Sequence, residues 1–311
     1  MNSPRRARVR ALAKINLDLR VLGKRPDGYH ELRTIFQTIS LGDTLEMAFT
    51  PGRKTVVELR ESLAIPDNLV TRAAHMALEA MGIGGRVEMR LVKRVPMGAG
   101  LGGGASDAAA VLLGLPVLAG RRLELAELAG MAQKLGSDVP FFLLGGRAVG
   151  IGRGTELFPL PDEAAPSGLV VAPGVHVHTA QAYRDLSARL TSEAQENKIF
   201  SFQSQVWGRG VGVPRNDFEE VVFQQHPDLA AIKKKLVRAG ATVALMTGSG
   251  SAVFGLFANR DAISAALQLW GAPKAFRVSL VTRTRYRQMW WRALEEHSTG
   301  RTWPPQSRYA R

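Results

Sequence analysis

A lysine and an aspartate with apolar neighbours are the first candidates for chemistry in this 311-residue chain. Lys14 interrupts the apolar strand predicted over Val9–Leu22, and Asp138 lies in the segment Gly136–Pro140, just before two phenylalanines. A buried Lys–Asp pair keeps the carboxylate ionised, so that it can accept a proton from an alcohol, and the ammonium stabilises the alkoxide that develops. Plainer interpretations stay open, in which Lys14 protects a sheet edge and Asp138 caps a turn.

A glycine-rich segment, residues 96–106, indicates a second kind of chemistry, the binding of an anion. Five of the seven residues from Gly98 to Gly104 are glycine, which is costly to order unless the backbone must approach a ligand closely. An alternating strand pattern precedes it (Arg86–Val92) and an apolar helical pattern follows it (Ala105–Leu115), so the segment is not a flexible linker. Because the start of a helix offers unpaired amides and a partial positive charge, we expect a phosphate chain there.

The composition of this loop excludes one class of nucleotide-binding protein and leaves another open. A Walker motif ends in Gly-Lys-Ser/Thr, whereas residues 104–106 are Gly-Ala-Ser. Residues 98–103 do satisfy G-x-G-x-x-G, and Glu124 follows about twenty residues later, as in dinucleotide-binding folds. Those folds use strands that are apolar throughout, whereas residues 86–92 alternate. A nicotinamide-dependent enzyme therefore stays a minor alternative.

A second cluster of small residues, Thr247–Ser251, lies between two apolar strand patterns. A hairpin turn is its simplest interpretation. Five residues that are only Gly, Ser or Thr also let a ligand approach the backbone and offer hydroxyl groups. We therefore expect this loop to close over the same site as the first one.

The elements that must position these residues mix strands and helices without strict βαβ alternation, which predicts an α+β fold. A stretch rich in proline, alanine and acids near residues 159–168 predicts a domain boundary, giving domains 1–165 and 166–285 and a basic aromatic tail, 286–311. Residues 195–212 are predicted to be irregular. Predicted strands are 9–22, 32–39, 44–49, 86–92, 141–144, 147–151, 169–172, 242–246, 252–257 and 275–282. Predicted helices are 67–81 (capped by Asp67), 105–115, 123–135, 179–186, 217–225, 228–239 and 261–270.

The composition is that of a globular protein, with 45% hydrophobic and 22% charged residues. The absence of cysteine excludes disulfides, zinc–thiolate sites and a cysteine nucleophile, and it fits a reducing compartment. No run of 18 apolar residues predicts a membrane span, and no apolar segment of a secretory signal follows the basic start. A cytoplasmic location without membrane attachment is therefore expected.

The net charge of +14 is concentrated at the two ends of the chain, with four arginines and no acid in residues 1–10 and seven arginines against two glutamates in residues 280–311. A basic excess suits an enzyme with polyphosphate substrates. It also leaves a nucleic-acid-binding protein as an alternative, because the tail carries aromatic residues that could stack on bases. More ordinarily, such residues dock a C-terminal helix; they are Tyr286, Trp290, Trp291 and Trp303.

Five segments occur in an order and at separations that resemble the GHMP kinases: AKINLDL, GKRPDGYHEL, VPMGAGLGGGASDAA, LGSDVPFFL and TGSGSAVFGLF. The resemblance covers roughly residues 8–285. It implies two domains, a ribosomal-protein-S5-like N-terminal domain and a ferredoxin-like C-terminal domain. It also implies a kinase that uses ATP and Mg²⁺ to phosphorylate the 2-hydroxyl of 4-diphosphocytidyl-2-C-methyl-D-erythritol in non-mevalonate isoprenoid synthesis. A homoserine- or mevalonate-type kinase of the same family stays the alternative.

The resemblance further implies roles for substrate-side residues. Lys14 and Asp138 would be the catalytic pair, with Asp138 as the base and Asn16 beside them. The cytosine would be held between two sides of the site. Tyr29 and His30 would form one side, and Thr179 and Tyr183 would form the other. Stacking of a pyrimidine on aromatic rings is favourable. The expected partner is this small cytidyl diphosphate, without nucleic acid, and the chain is expected to be a monomer or a weak homodimer.

The resemblance also implies an ATP site. Ala105 stands where many relatives have serine, so Ser106 would offer the free hydroxyl. His176 and His178 lie outside the family pattern; two ligands are too few to predict a metal site. The residues expected at the nucleotide are Lys93, Pro96, Met97, Gly98, Ala99, Gly100, Leu101, Gly102, Gly103, Gly104, Ala105 and Ser106, with Asn68 near the adenine and Gly248 and Ser249 from the second loop.

Overall fold

The computed structural model describes residues 3–61, 67–162, 167–189, 192–207, 213–270 and 274–310. Its strands are β1 Arg5–Lys24, β2 His30–Pro51, β3 Val56–Glu61, β4 Gly85–Val92, β5 Arg147–Gly152, β6 Glu156–Pro159, β7 Ser167–Val171, β8 Val243–Met246, β9 Val253–Phe257 and β10 Ala275–Ser279. Its helices are α1 Leu69–Ala80, α2 Gly103–Ala119, α3 Leu125–Leu135, α4 Val139–Leu144, α5 Thr179–Ser187, α6 Ser192–Trp207, α7 Glu219–Gln225, α8 Pro227–Arg238, α9 Arg260–Leu267 and α10 Arg283–Ala293.

The first sheet is built around two long antiparallel strands, β1 and β2. Its order is β3-β4-β2-β5-β6, with β1 paired to β2, and β3–β4 is its parallel pair. The β1–β2 register shifts between Leu12 and Lys14 and again between Asn16 and Asp18. Such irregularities bend a strand and change the direction of its side chains. These two irregularities flank Lys14 and Asn16, the polar residues that interrupt the apolar pattern of β1.

Helix α2 is the centre of the first core. It is apolar on all sides, with thirteen buried residues between Ser106 and Leu118, as expected of a helix that is surrounded by other elements. Helices α1, α3 and α4 contribute to the same core, and so does α10 through Tyr286 and Trp290. The basic tail thus begins with a helix that packs against the core of the first sheet. This agrees with the interpretation that its aromatic residues dock a C-terminal helix.

The second sheet is antiparallel, in the order β10-β7-β9-β8. Residues of α5, α7, α8 and α9 form a core with it that also includes Leu19, Val21 and Leu32 from the first sheet. A further apolar cluster joins Ile15 and Leu101 to residues of β7 and β9. The two sheets are therefore packed together along β1, which is the strand that carries Lys14.

The predicted elements are mostly confirmed, with four corrections. The strands at 32–39 and 44–49 are one strand, β2. The predicted strand at 141–144 is wrong: Pro140 sits in the first turn of a short helix, α4, where proline is favoured. The irregular interpretation of 195–212 is wrong over 195–207, which belongs to α6, and 208–212 lie outside the described residues. Asn68, rather than Asp67, caps α1, because its side chain accepts a hydrogen bond from Val70 N.

Candidate active site

A cavity of about 1210 Å³ opens between the two sheets. Both glycine-rich loops reach it, and so do β1, β2 and the first residues of α5. Its polar lining brings together residues far apart in sequence: Lys14, Asn16, His30, Thr34, Gly98, Gly100, Asp138, Thr179, Gly248 and Ser249.

The Lys14–Asp138 pair lies at the wall of this cavity. The ammonium of Lys14 is 3.3 Å from Asp138 Oδ2, and the Lys14 side chain is 4% exposed, whereas that of Asp138 is 37% exposed. The lysine is therefore buried behind its carboxylate partner, and the carboxylate faces the cavity. Asp138 is held just before α4, so the short helix that replaces the expected strand determines where the carboxylate points.

Asn16 connects Lys14 to the second glycine loop. Its amide oxygen accepts hydrogen bonds from Lys14 Nζ at 2.8 Å and Gly248 N at 3.0 Å. Its amide nitrogen donates to Thr34 Oγ1 at 2.8 Å, and Thr247 Oγ1 accepts from the Asn16 main chain. Asn16 is 1% exposed, so its side chain fixes the lysine and the loop.

The first glycine loop turns its carbonyl groups into the protein. Three consecutive carbonyls accept hydrogen bonds from neighbouring segments: Ala252 N donates to Ala99, Thr247 Oγ1 to Gly100, and Lys14 N to Leu101. In a trans peptide the carbonyl and the following N–H point in opposite directions, so the N–H groups of residues 100–102 point away from these contacts. Helix α2 then starts at Gly103 without a side-chain cap, which leaves its first amides unpaired. The loop therefore presents amides that fit a phosphate chain.

Glycine is required at position 100 of this loop for two reasons. Gly100 has φ +76°, in the left-handed region, and an added Cβ would lie 2.1 Å from the Thr247 carbonyl oxygen. The two glycine loops thus touch through their main chains. A side chain at position 100 would force them apart.

We expect Gly100→Ala to destabilise the protein and to weaken ATP binding together. The backbone conformation alone costs about 1–2 kcal/mol of unfolding free energy, and the overlap with Thr247 adds to that cost. Gly82→Ala is the matched control, because Gly82 also has a left-handed φ, +62°, but no atom lies within 4 Å of an added Cβ. Denaturant unfolding and nucleotide titration should show a loss of stability in both variants but weaker ATP binding only in Gly100→Ala; equal ATP binding in the two would contradict the loop contact.

Lys93 lies beneath the loop and does not line the cavity. Its ammonium is 2.5 Å from Asp43 Oδ2 and 2.7 Å from Asp107 Oδ2, and its side chain is 5% exposed. Asp43 also accepts hydrogen bonds from Val95 N and Arg94 N. Burial, together with the neighbouring Asp43, raises the pKa of Asp107 to about 7, although Lys93 opposes the shift. The cluster fastens both ends of the phosphate loop to β2.

Four other residues expected at the nucleotide make contacts within the protein instead. The Ser106 hydroxyl is not free, which corrects that expectation: it donates to the Leu12 carbonyl at 2.7 Å and the residue is 2% exposed. Ala99 and Leu101 are buried, with their side chains in an apolar cluster. Asn68 caps α1, and its neighbour Leu69 lines the cavity. Gly98, Gly100 and Ala105 line the cavity, Gly104 is exposed, and Met97 is 57% exposed.

The residues expected around a pyrimidine form an aromatic group at the cavity. The rings of His30 and Tyr183 stack with centroids 4.5 Å apart, and Phe218 meets Tyr183 edge-on. Tyr29 is 49% exposed, and the guanidinium of Arg153 lies 3.4 Å from its ring centroid. Tyr29 and His30 thus both reach the cavity. The ring of His30 itself lies against Tyr183, so there is no open gap between these two rings.

Hydrogen bonds define the protonation of His30. The Ser187 hydroxyl donates to the Tyr183 carbonyl, so it accepts from His30 Nε2, 2.6 Å away. Burial lowers the pKa of His30, and the positive charge of Lys24 lowers it further. His30 is therefore neutral near pH 7, with Nδ1 as an acceptor. Burial raises the pKa of Tyr183, as does the negative charge of Asp138.

The beginning of α5 meets the second glycine loop. Thr179 Oγ1 and Ser249 Oγ are 2.7 Å apart. The exposed rings of His176 and His178 lie edge-to-face, with centroids 4.5 Å apart, on the segment before them. Within the described part of the chain, no group of three or more His, Cys, Asp or Glu side chains could hold a metal ion. Of the helices described, none combines the length and apolarity needed to cross a membrane.

Several residues at the site escape the sequence analysis. Thr34 and Thr247 orient Asn16, Arg153 covers Tyr29, and Ser187 holds His30. Thr247 belongs to a loop that the sequence does single out. For the other three, the sequence gives no local signal, since each acts through a contact distant along the chain.

Comparison with known proteins agrees with this arrangement. The protein-family model described as GHMP kinases N terminal domain matches residues 68–146. The family model described as GHMP kinases C terminal matches residues 205–272. A 4-diphosphocytidyl-2-C-methyl-D-erythritol kinase of Solibacter usitatus is 67% identical, over 99% of each chain.

Solved structures give the same result. A crystal structure of 4-(cytidine 5'-diphospho)-2C-methyl-D-erythritol kinase has a TM-score of 0.72 and 35% identity, over 88% of this chain and 98% of that one. Homoserine kinase from Cytophaga hutchinsonii shares the fold, with a TM-score of 0.67 at 20% identity, over 91% of this chain and 96% of that one. The two-domain α+β fold implied by the sequence is confirmed, and this chain belongs to the GHMP kinases, in the group of the 4-diphosphocytidyl-2-C-methyl-D-erythritol kinases.

Proposed function

We propose that this enzyme transfers the γ-phosphoryl group of ATP to the 2-hydroxyl of 4-diphosphocytidyl-2-C-methyl-D-erythritol, giving the 2-phosphate and ADP in the non-mevalonate synthesis of isoprenoid precursors. The observation that carries this proposal is the Lys14–Asp138 pair in a cavity that both glycine loops reach. Two relatives, 67% and 39% identical to this chain, bear the name of this kinase.

In the proposed step, the Asp138 carboxylate accepts the proton of the 2-hydroxyl as its oxygen bonds to the γ-phosphorus of ATP. The bond between that phosphorus and the β–γ bridging oxygen breaks, and its electron pair leaves with ADP. Lys14 stabilises the negative charge on the attacking oxygen and forms an ion pair with Asp138. Because phosphoryl transfer depends mainly on positioning and charge stabilisation, the hydrogen bonds that hold Lys14 contribute directly to the rate.

The amides of residues 100–104 are proposed to hold the ATP phosphates, with Gly248 and Ser249 closing the other side. The residues present fit this assignment, since the carbonyls of residues 99–101 accept hydrogen bonds, whereas no described residue accepts one from the amides of residues 100–104. Mg²⁺ would neutralise charge on the phosphates. Since Mg²⁺ usually keeps several waters and takes few protein ligands, phosphate oxygens would supply most of its coordination. The buried Lys93 is proposed to shape the loop, with Pro96 and Met97 leading into it and Asn68 fixing Leu69 near the adenine.

Recognition of the cytidine is proposed to come from Tyr29 and His30. The neutral His30 offers Nδ1 to a donor such as the amino group of cytosine, while its stacking on Tyr183 fixes the ring. Tyr29 has one face against Arg153 and offers the other to the base. Thr179 is proposed to contact the substrate from the start of α5.

Tyr29→Ala is expected to raise KM for the cytidyl substrate about tenfold, because base–aromatic stacking contributes roughly 1–3 kcal/mol. KM for ATP should not change. Phe158→Ala is the matched control: this ring is 55% exposed on β6 and does not line the cavity. Steady-state kinetics with each substrate varied separates the effects, and an equal rise in both KM values would argue against a cytidine contact.

A coupled ADP-release assay over a panel of alcohols tests the proposed reaction. The cytidyl substrate, homoserine and mevalonate should each be offered with ATP and Mg²⁺, and again with EDTA. Turnover is expected with the cytidyl substrate alone and should stop without Mg²⁺. Preference for homoserine or mevalonate would assign the chain a different acceptor within its family.

The remaining assignments are also proposals. We retain domains at 1–165 and 166–285 with a tail over 286–311, a cytoplasmic location, and a monomer or weak homodimer that does not bind nucleic acid. The packing of the tail supports the last point, because Trp303 Nε1 donates to the Leu143 carbonyl and Trp291 Nε1 to that of Thr302. These indoles serve contacts within the chain. Sedimentation over a range of protein concentrations would measure the oligomeric state.

A further inference from the structure

A second groove, of about 660 Å³, lies between the beginning of β1 and helix α10, apart from the cavity described above. The two linings share no residue of the described part of the chain. Four arginines line it, and none of its described lining residues is acidic. The arginines are Arg8, Arg10, Arg285 and Arg292.

The spacing of these arginines places them on two facing walls. Arg8 and Arg10 are two residues apart on β1, so their side chains emerge on the same face of the strand. Arg285 and Arg292 are seven residues apart on α10, which is two helical turns. Gln288 continues the helical stripe, and Thr282 and Thr284 add hydroxyl groups to the lining. The groove is therefore lined by donors on both sides.

The positive charges in and beside the groove are poorly compensated. Burial lowers the pKa of Arg10, and the nearby positive charges of Arg94 and Arg285 lower it further. No described residue accepts a hydrogen bond from the side chains of Arg94, Arg285 or Arg292. Arg8 is 3.7 Å from Glu46, but both side chains are exposed, so this ion pair is screened and weak. An anion in the groove would relieve the repulsion among these arginines.

The size and lining of the groove favour a small polyphosphate over a nucleic acid. Its volume lies within the range of about 300–1,000 Å³ that is usual for small-ligand sites. Binding of single strands would call for exposed rings on which bases stack, whereas Trp290, the aromatic residue in the lining, is 3% exposed. Guanidinium groups on opposite walls match the several oxygens of a diphosphate, because arginine binds phosphate through paired hydrogen bonds.

We propose that the groove between β1 and α10 is a second anion site, which binds a diphosphate group between Arg8 and Arg10 on the strand and Arg285 and Arg292 on the helix. Free inorganic diphosphate and the diphosphate moiety of a small ester share this chemistry. The site is independent of the proposed kinase reaction, because none of its described lining residues lines the catalytic cavity.

Isothermal titration calorimetry with inorganic diphosphate tests this proposal in full-length protein whose catalytic cavity is filled with a non-hydrolysable ATP analogue. One diphosphate per chain is expected, bound at least tenfold more weakly by Arg285→Gln/Arg292→Gln. Both side chains are exposed, so folding should be kept. The matched control is Arg121→Gln/Arg238→Gln, which removes the same charge from exposed positions outside the groove. A parallel titration with a nucleoside diphosphate distinguishes an ester from free diphosphate as the preferred ligand.

Higher ionic strength should weaken this binding, since salt screens the attraction. Equal affinity in the two double variants would overturn the proposal. Binding of sulfate and orthophosphate as tight as that of diphosphate would also overturn it, because the groove would then attract anions in general. Binding of single-stranded RNA that depends on Arg285 and Arg292, without binding of diphosphate, would assign the surface to nucleic acid instead. None of these outcomes bears on the kinase assay, so the two proposals can fail separately.

Discussion

Asp138→Asn is expected to lower kcat by about 10³-fold while leaving ATP binding nearly unchanged, since a positioned general base typically contributes 10²–10⁴-fold. The substitution keeps the size of the side chain and removes its capacity to take a proton. The Lys14 ammonium, 3.3 Å away, would still face the attacking oxygen. The measurement is kcat from steady-state ADP release, together with an ATP dissociation constant from direct titration.

Two further variants make this prediction specific to proton transfer. Asp228→Asn changes an exposed carboxylate in the first turn of α8 and should leave kcat as it is. Asp138→Ala should recover part of its lost turnover when formate is added, because the small carboxylate can occupy the emptied position. Turnover of Asp138→Asn within a few-fold of the unmodified enzyme would remove Asp138 from the role of base.

Lys14→Met is expected to lower kcat by about 10²–10³-fold, the usual effect of removing one donor that stabilises developing negative charge. Methionine keeps most of the side chain's length, but it cannot donate to Asn16 or pair with Asp138. The freed Asn16 oxygen still accepts a hydrogen bond from Gly248 N, so the second loop should stay in place. KM for ATP should therefore change less than kcat.

Lys24→Met is the matched control for Lys14→Met, because Lys24 also lines the cavity but lies next to His30 rather than Asp138. It should leave kcat within a few-fold, although the pKa of His30 should rise once the nearby positive charge is gone. A Lys14→Met enzyme with normal kcat and a raised KM for ATP would make Lys14 a nucleotide contact instead. Thermal unfolding of both variants checks that the buried pair is not simply required for folding.

The elements of this protein were largely predictable from its sequence, because most of them follow from local periodicity. The alternation in Arg86–Val92 corresponds to β4, and the apolar run after Gly104 to α2. At residues 141–144 the sequence predicts a strand instead of the short helix α4, because two phenylalanines and two leucines suit a buried strand equally well. What decides between them is Pro140 at the helix start, together with the packing of both phenylalanines in the core of the first sheet.

For the candidate site, too, the sequence predicts some features, whereas others depend on the tertiary structure. Residue types alone predict an anion-binding loop and single out a lysine and an aspartate with apolar neighbours. They could not reveal that Ser106 turns its hydroxyl to Leu12, or that Lys93 is held between Asp43 and Asp107. Each of these contacts joins residues that are more than ten positions apart, and a hydrogen bond over that separation depends on how β1, β2 and α2 pack.

The amino-acid sequence by itself determined that the backbone near residues 98–104 can adopt left-handed conformations at low cost, since glycine lacks the Cβ that makes them unfavourable. Only the tertiary structure decided that Lys14 and Asp138 meet, that the two glycine loops touch at Gly100, and that arginines from both ends of the chain face one groove. The physical reason is that conformational preference acts within a few residues, whereas charge pairing and close contact act through space between strands and helices that the fold brings together.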